Sequence, residues 1–295
     1  MIVGRSPRIR QTFDLAWRAL AALFVWDVAV TVFYFVSPFR APSLPLTIFG
    51  TGLALFLGFR VNSAYQRWWE GRIMWGLMTN ASRSLAREVL SFIPDRDGGA
   101  AMRIDLVMRQ IAYVHAVRRQ LRRQDPIEEV RRVLPDSDEA TAPPRNNVAN
   151  GLLDGSARIV AQARSLGLID TIQQTQIEGL YVDMANAQGG MERIKNTPLP
   201  AQYRSFPTFF TRIFCVLLPI GLVETLGVAT PIGSAVAGFM YLAALQVGDD
   251  LVDPFADTVH DVPLTTICTN IEGDLMQALG RQAPPAITPR DGVLW

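Results

Sequence analysis

Asp249, Asp253, Asp257 and Asp261 recur at every fourth position, and Asp250 stands beside the first of them. Carboxylates at that spacing share one face of a continuous helix, where they repel one another. A hard cation could hold such oxygens together, but calcium takes about six to eight of them, more than this sparse pattern supplies. Pro254 also interrupts the helix that would align the acids. Solvated, helix-capping aspartates on a bend are the expected outcome. Other reactive side chains are scarce. His115 and His260 are the only histidines and stand far apart, while Cys215 and Cys268 lie in or beside apolar sequence without CxxC spacing. No HExxH, GxSxG, P-loop or GxGxxG pattern occurs. The chain is therefore read as no enzyme, with no catalytic residues, no metal site and no cofactor. A net charge of +1 gives no surplus of cations for nucleic acid.

Two more ionisable groups, Asp27 and Glu224, stand inside or at the edge of apolar runs. Burying such a group in lipid costs several kcal/mol unless it is paired or faces water. Asp27 is expected to hydrogen-bond to a neighbouring helix.

The elements that must position these groups begin with Leu44 to Arg72, LPLTIFGTGLALFLGFRVNSAYQRWWEGR. There an apolar run passes without a break into Arg60 and then Arg67, Trp68, Trp69, Glu70 and Arg72. Indole and guanidinium groups settle at the headgroup level, so this reads as a membrane span meeting its interface. Hydrophobic residues are 49% and charged residues 19% of the 295, with a mean hydropathy of +0.18. That mixture fits a few membrane helices plus a sizeable polar region.

Four spans are expected: Ala16 to Val36, Leu44 to Phe59, Phe206 to Val223 and Ile232 to Val247. Pro38, Pro42 and Pro45 turn the chain between the first two; Gly227 and Pro231 turn it between the last two. Gly50, Gly52 and Gly58 read as close-packing positions in the second span. Arg5, Arg8, Arg10 and Arg18 flank the start of the first span, and Arg60, Arg67 and Arg72 the end of the second, against Arg40 alone in the loop between. The positive-inside rule then puts both termini and the central region in the cytoplasm, with the chain multi-pass in the inner (plasma) membrane.

The central region reads as amphipathic helices over Ile73 to Ile93, Met102 to Val133 and Ile159 to Tyr181, separated by loops at Pro94 to Gly99 and Pro135 to Asn147. Ala283 to Trp295 is read as an irregular tail. The resulting division is 1–62, an N-terminal cytosolic segment with spans one and two; 63–205, a cytosolic helical region; 206–248, spans three and four; and 249–295, a cytosolic C-terminal segment and tail. The expected class is an all-α membrane protein.

Three segments carry a family resemblance: GFRVNSAYQRWWEGR at Gly58 to Arg72, ERIKNTPLP at Glu192 to Pro200, and DPFADTVHDVPL at Asp253 to Leu264. In that order, over nearly the whole chain, they resemble the bacterial branch of the bestrophins. The resemblance implies a homopentameric ion channel with four transmembrane helices per subunit and a large helical cytosolic region around a central pore. Its partners would be the lipid bilayer, monovalent ions and its own copies. It also implies a narrow hydrophobic neck made by the second helix, and Phe59 of the GF pair is carried onto that neck. Helical spacing of four brings Leu55 and Thr51 to the same face. Packing between helices is the alternative for Leu55 and Phe59.

A second, cytosolic constriction aligns with Leu168 to Ile172, with Ile169 or Ile172 toward the axis or else in the core. Arg67, Trp68, Trp69, Glu70 and Arg72 are expected to form a structural collar that holds the cytosolic continuation of the pore helix. Animal relatives hold calcium near the aspartates with a run of acids that this chain lacks. Conduction of cations such as sodium is slightly favoured by the bacterial motifs and by Glu224 at the outer mouth, with chloride as the alternative. A small secondary transporter, which would show interrupted helical repeats, and a membrane-anchored tether are further alternatives.

Overall fold

The computed structural model describes residues 1–2, 9–38, 42, 44–135, 137 and 145–295, with side chains of the first helix from Trp17 onward. Arg5, Arg8, Arg40 and the side chain of Arg10, on which the orientation was argued, lie outside the described residues. Among the described residues the regular structure is helical: α1 (Ile9–Val36), α2 (Leu46–Phe92), α3 (Gly99–Leu121), α4 (Ile127–Val133), α5 (Val148–Ser165), α6 (Thr171–Asn196), α7 (Ala201–Leu226), α8 (Thr230–Leu251) and α9 (Leu264–Ala278). The chain divides into two units. One, here the apolar unit, comprises Arg5–Arg67 and Pro198–Val252; the other, the polar unit, comprises Met1–Gly4, Trp68–Thr197 and Asp253–Trp295.

In the apolar unit, α1 packs on α7 and α8, and α7 on α8. Three stretches are long and apolar enough to cross a membrane: Trp17–Val36 at a mean hydropathy of 2.1, Leu46–Phe92 at 1.3 and Ala201–Leu251 at 2.0. The third contains α7 and α8, separated by a single 3-10 turn at Gly227–Ala229. Gly227 caps α7 at φ 54, a left-handed value that glycine adopts without strain, and Pro231 opens α8. At about 1.5 Å per residue α7 and α8 each reach across a bilayer core of about 30 Å. Pro219 lies within α7, which continues through it. On its packed side α2 buries Leu53 and Leu57 against Phe214, Leu218 and Leu245. Gly50 permits that approach, since a Cβ there would lie 3.1 Å from both the Phe214 ring and the Tyr241 hydroxyl.

The polar unit has a conventional buried core. Trp75, Met78, Leu85 and Val89 follow helical spacing along α2 and, with Ile93 just past its end, meet Ile111 of α3, Leu152 of α5, Met184 of α6 and Ile271 of α9. Two expected helices are each broken. The stretch Met102 to Val133 ends as α3 at Leu121 and resumes as α4, because Pro126 follows Asp125, whose carboxylate takes the Ile127 N–H at 2.9 Å. Between α5 and α6 the chain reverses at Gly167, φ 68, and restarts on Asp170, which forms a capping box with Gln173. The tail is irregular but docked. Val293 is buried and bridges to Ile2, and the Trp295 carbonyl accepts the Thr266 N–H at 2.7 Å and hydroxyl at 2.6 Å.

Candidate functional site

Because Leu53, Leu57 and Arg60 turn inward, the opposite face of α2 points out of the apolar unit. Thr51, Leu55 and Phe59 lie on it; Leu55 is 61% and Phe59 65% exposed. Thr51 donates its hydroxyl to the Thr47 carbonyl at 2.7 Å, and Ser63 donates to the Phe59 carbonyl at 2.9 Å, so both hydroxyl protons are satisfied along the helix. Just past Phe59 the guanidinium of Arg60, 1% exposed, pairs with Asp249 of α8. One turn pair further on, Arg67 donates to the Val252 carbonyl at 3.0 Å.

Elsewhere in the apolar unit Asp27 is buried, and the Ser234 hydroxyl of α8 donates to its Oδ1 at 3.0 Å. That bond offsets part of the burial that a carboxyl group inside a span incurs. Glu224 is exposed in the last turn of α7.

In the polar unit the two candidate isoleucines separate. Ile172, in the first turn of α6, is 72% exposed, whereas Ile169 is 3% exposed and belongs to the core. Ile169 is thus corrected to a core residue: the reversal at Gly167 folds it inward just before the Asp170 cap, and only Ile172 is presented at the surface. Trp68 donates its indole N–H to the His260 carbonyl at 3.0 Å and stacks on Trp69, ring centroids 6.5 Å apart. Glu70 pairs with Arg193, and Arg72 is exposed. Gly71 lies against Phe255, whose ring a Cβ would meet at 2.9 Å.

The aspartates do not gather around a common point. Asp249 takes Arg60, and Asp250 accepts from Gln246 at 2.7 Å. Asp253 accepts from Lys195 at 2.7 Å and from the Phe255 N–H at 3.1 Å, and Asp257 pairs with Arg122 at 2.8 Å. Asp261 accepts from the Thr258 N–H at 3.0 Å and hydroxyl at 2.7 Å. Burial pushes the Asp261 carboxyl upward against those bonds. Asp249 and Asp250 therefore bond within the apolar unit and Asp253, Asp257 and Asp261 within the polar unit, ahead of α9, and among the described residues no group of three or more His, Cys, Asp or Glu is placed to hold a metal.

A cluster absent from the sequence reading joins α3, α4 and α9. The His115 Nε2 is 2.7 Å from Glu272, which also takes a bidentate pair of bonds from Arg132 at 2.9 and 3.0 Å. Arg132 and Arg118 share Glu129. Burial would raise the Glu272 carboxyl, but the bonds from His115 and Arg132 outweigh it and hold the group at about 2. Glu272 stands 157 residues from His115 and 140 from Arg132, and no local spacing announces those two pairings. Cys268, beside this cluster, donates to the Val114 carbonyl at 3.4 Å, and burial pushes its thiol up to about 12.

The whole chain can be set beside known proteins. Residues 12–277 match the family model described as bacterial and fungal bestrophin protein. A voltage-dependent anion channel-forming protein of Mesorhizobium japonicum is 33% identical over 273 residues, covering 92% of this chain and 83% of that protein. YneE of Escherichia coli K12, named likewise as a voltage-dependent anion channel-forming protein, is 34% identical over 242 residues, 82% of this chain and 78% of its own. The crystal structure of a variant of a bacterial bestrophin homologue from Klebsiella pneumoniae superposes with a TM-score of 0.83 at 27% identity, over 91% of this chain and 100% of that one. Matched across nearly its full length in sequence and in fold, the chain belongs to the bacterial and fungal bestrophin family.

Proposed function

We propose that this chain forms a homopentameric ion channel in the inner membrane, four spans per subunit, with both termini and the polar unit cytoplasmic. The observation that carries the reading is the row Thr51, Leu55 and Phe59, exposed along one face of α2 while the other face is packed. Five copies of that row around an axis make a narrow apolar neck, which gates by excluding water. Ile172, exposed at the start of α6, is the matching choice for the cytosolic constriction. Arg67, Trp68, Trp69, Glu70 and Arg72 act as the collar that fixes the continuation of α2.

The ions are monovalent. The relatives are named as voltage-dependent anion channel-forming proteins, which favours anions such as chloride over the cations such as sodium that the sequence slightly favours. Glu224, exposed at the end of α7, is the feature that pulls toward cations.

Two measurements test the proposal. Mass determination in detergent should return a pentamer, and a stable monomer would overturn it. Reversal potentials in asymmetric sodium chloride should move toward the chloride potential; movement toward the sodium potential would overturn the anion assignment and leave the channel standing.

A further inference from the structure

The segment ERIKN, Glu192–Asn196, belongs to one of the three stretches that carry the family resemblance, and the pore leaves it unexplained. It ends α6 inside the polar unit, where Glu192, Lys195 and Asn196 border a cavity of 270 Å³ together with Arg123 after α3 and with Asn146 and Asn147 before α5. Glu192 is held through one oxygen only. Its Oε1 accepts from the Asn147 amide at 3.0 Å and from the Gln188 amide at 2.7 Å, and Gln188 in turn accepts from the Tyr113 hydroxyl at 2.9 Å. Both donors are neutral. Among the described residues no cation is paired with this carboxylate, since Lys195 is committed to Asp253 at 2.7 Å and to the Phe255 carbonyl at 3.4 Å. A carboxylate held by amides through one oxygen keeps a second oxygen with acceptor capacity to spare.

Arg123 supplies the opposite charge at the same cavity. Its backbone closes α3 at φ 56, with its own N–H on the Gln120 carbonyl at 3.0 Å and the Gln124 N–H on the Arg119 carbonyl at 2.9 Å. Glycine fills such a left-handed helix end without strain, and an arginine does not. Residues kept in strained conformations cluster at ligand clamps. The guanidinium is exposed and, among the described residues, has no carboxylate paired with it.

We propose that this cavity binds a small zwitterion of the α-amino acid class, with its ammonium on Glu192 and its carboxylate on Arg123. Volume limits the class, because pockets for drug-sized ligands run from about 300 to 1,000 Å³. A bare divalent cation is the wrong occupant: one carboxylate falls short of the six or so oxygens that calcium takes, and Arg123 and Lys195 repel it. The site lies wholly within the polar unit and does not depend on whether the chain conducts ions.

Isothermal titration of the full chain in detergent with each proteinogenic L-amino acid, and with methylamine and acetate as half-ligands, tests the proposal. One or more amino acids should bind saturably, and each half-ligand more weakly by about tenfold or more. Glu192→Gln retains the Oε1 acceptor and should weaken the binding by about tenfold or more. Arg123→Gly relaxes the helix end, so it should raise the melting temperature while weakening the same binding, which separates ligand loss from misfolding. Absence of any amino acid binding in the millimolar range, or undiminished binding by both variants, would overturn the assignment.

Discussion

The Arg60 guanidinium, one residue past Phe59 on α2, pairs with Asp249 near the end of α8 while its Nε and Nη1 find no partner among the described residues. Asp249 is half exposed, so the two partners are unequal. Asp249→Ala leaves a buried guanidinium without its counter-charge and should cost about 3 kcal/mol or more. Arg60→Leu leaves a carboxylate that water can solvate and should cost less. Melting of both variants in detergent checks the order; a larger loss for Arg60→Leu than for Asp249→Ala would show that Arg60 acts mainly by packing, its side chain lying 3.6 Å from where a Cβ on Gly248 would sit.

Thr51→Ile should lower single-channel conductance in bilayers. The Thr51 hydroxyl donates to Thr47 but can still accept from water. In the proposed neck an apolar side chain at that position would lengthen the dewetted stretch above Leu55 and Phe59. Unchanged conductance would remove Thr51 from the pore.

Acid should destabilise the polar unit through Glu272. Its carboxyl is held at about 2, below the ordinary 4.5. A depressed pKa contributes stability that is fully present above pH 4.5 and is lost as pH falls through about 2. The full contribution is on the order of 3 kcal/mol. Glu272→Gln should melt lower at neutral pH and show a flatter decline between pH 4.5 and 2, as followed by thermal melting against pH.

Gly71→Ala should destabilise by about 1–3 kcal/mol through overpacking. Its Cβ would lie 2.9 Å from the fully buried Phe255 ring, which has no room to withdraw. Gly71→Ala combined with Phe255→Leu should recover part of the loss, and circular-dichroism melts of the single and double variants decide it.

Much of the architecture is legible in order and composition alone. Apolar runs long enough to span lipid, the punctuation by Pro38 to Pro45 and by Gly227 to Pro231, and the helical spacing that aligns Thr51, Leu55 and Phe59 are all local, and local rules read them. GFRVNSAYQRWWEGR, ERIKNTPLP and DPFADTVHDVPL were enough to point to the family. The breaks at Arg123 to Pro126 and at Gly167 to Asp170 were less legible, since apolar periodicity carries across a turn that reverses the chain.

Tertiary structure alone decided which side of each element is covered. Ile169 and Ile172 are three positions apart and alike in chemistry; the reversal at Gly167 buries one and presents the other. It also assigned each aspartate from Asp249 to Asp261 its own partner and joined His115 to Glu272 across 157 residues. Hydrogen bonds and ion pairs act over a few ångströms, and pairings between segments so distant in sequence exist only after packing has brought their helices together.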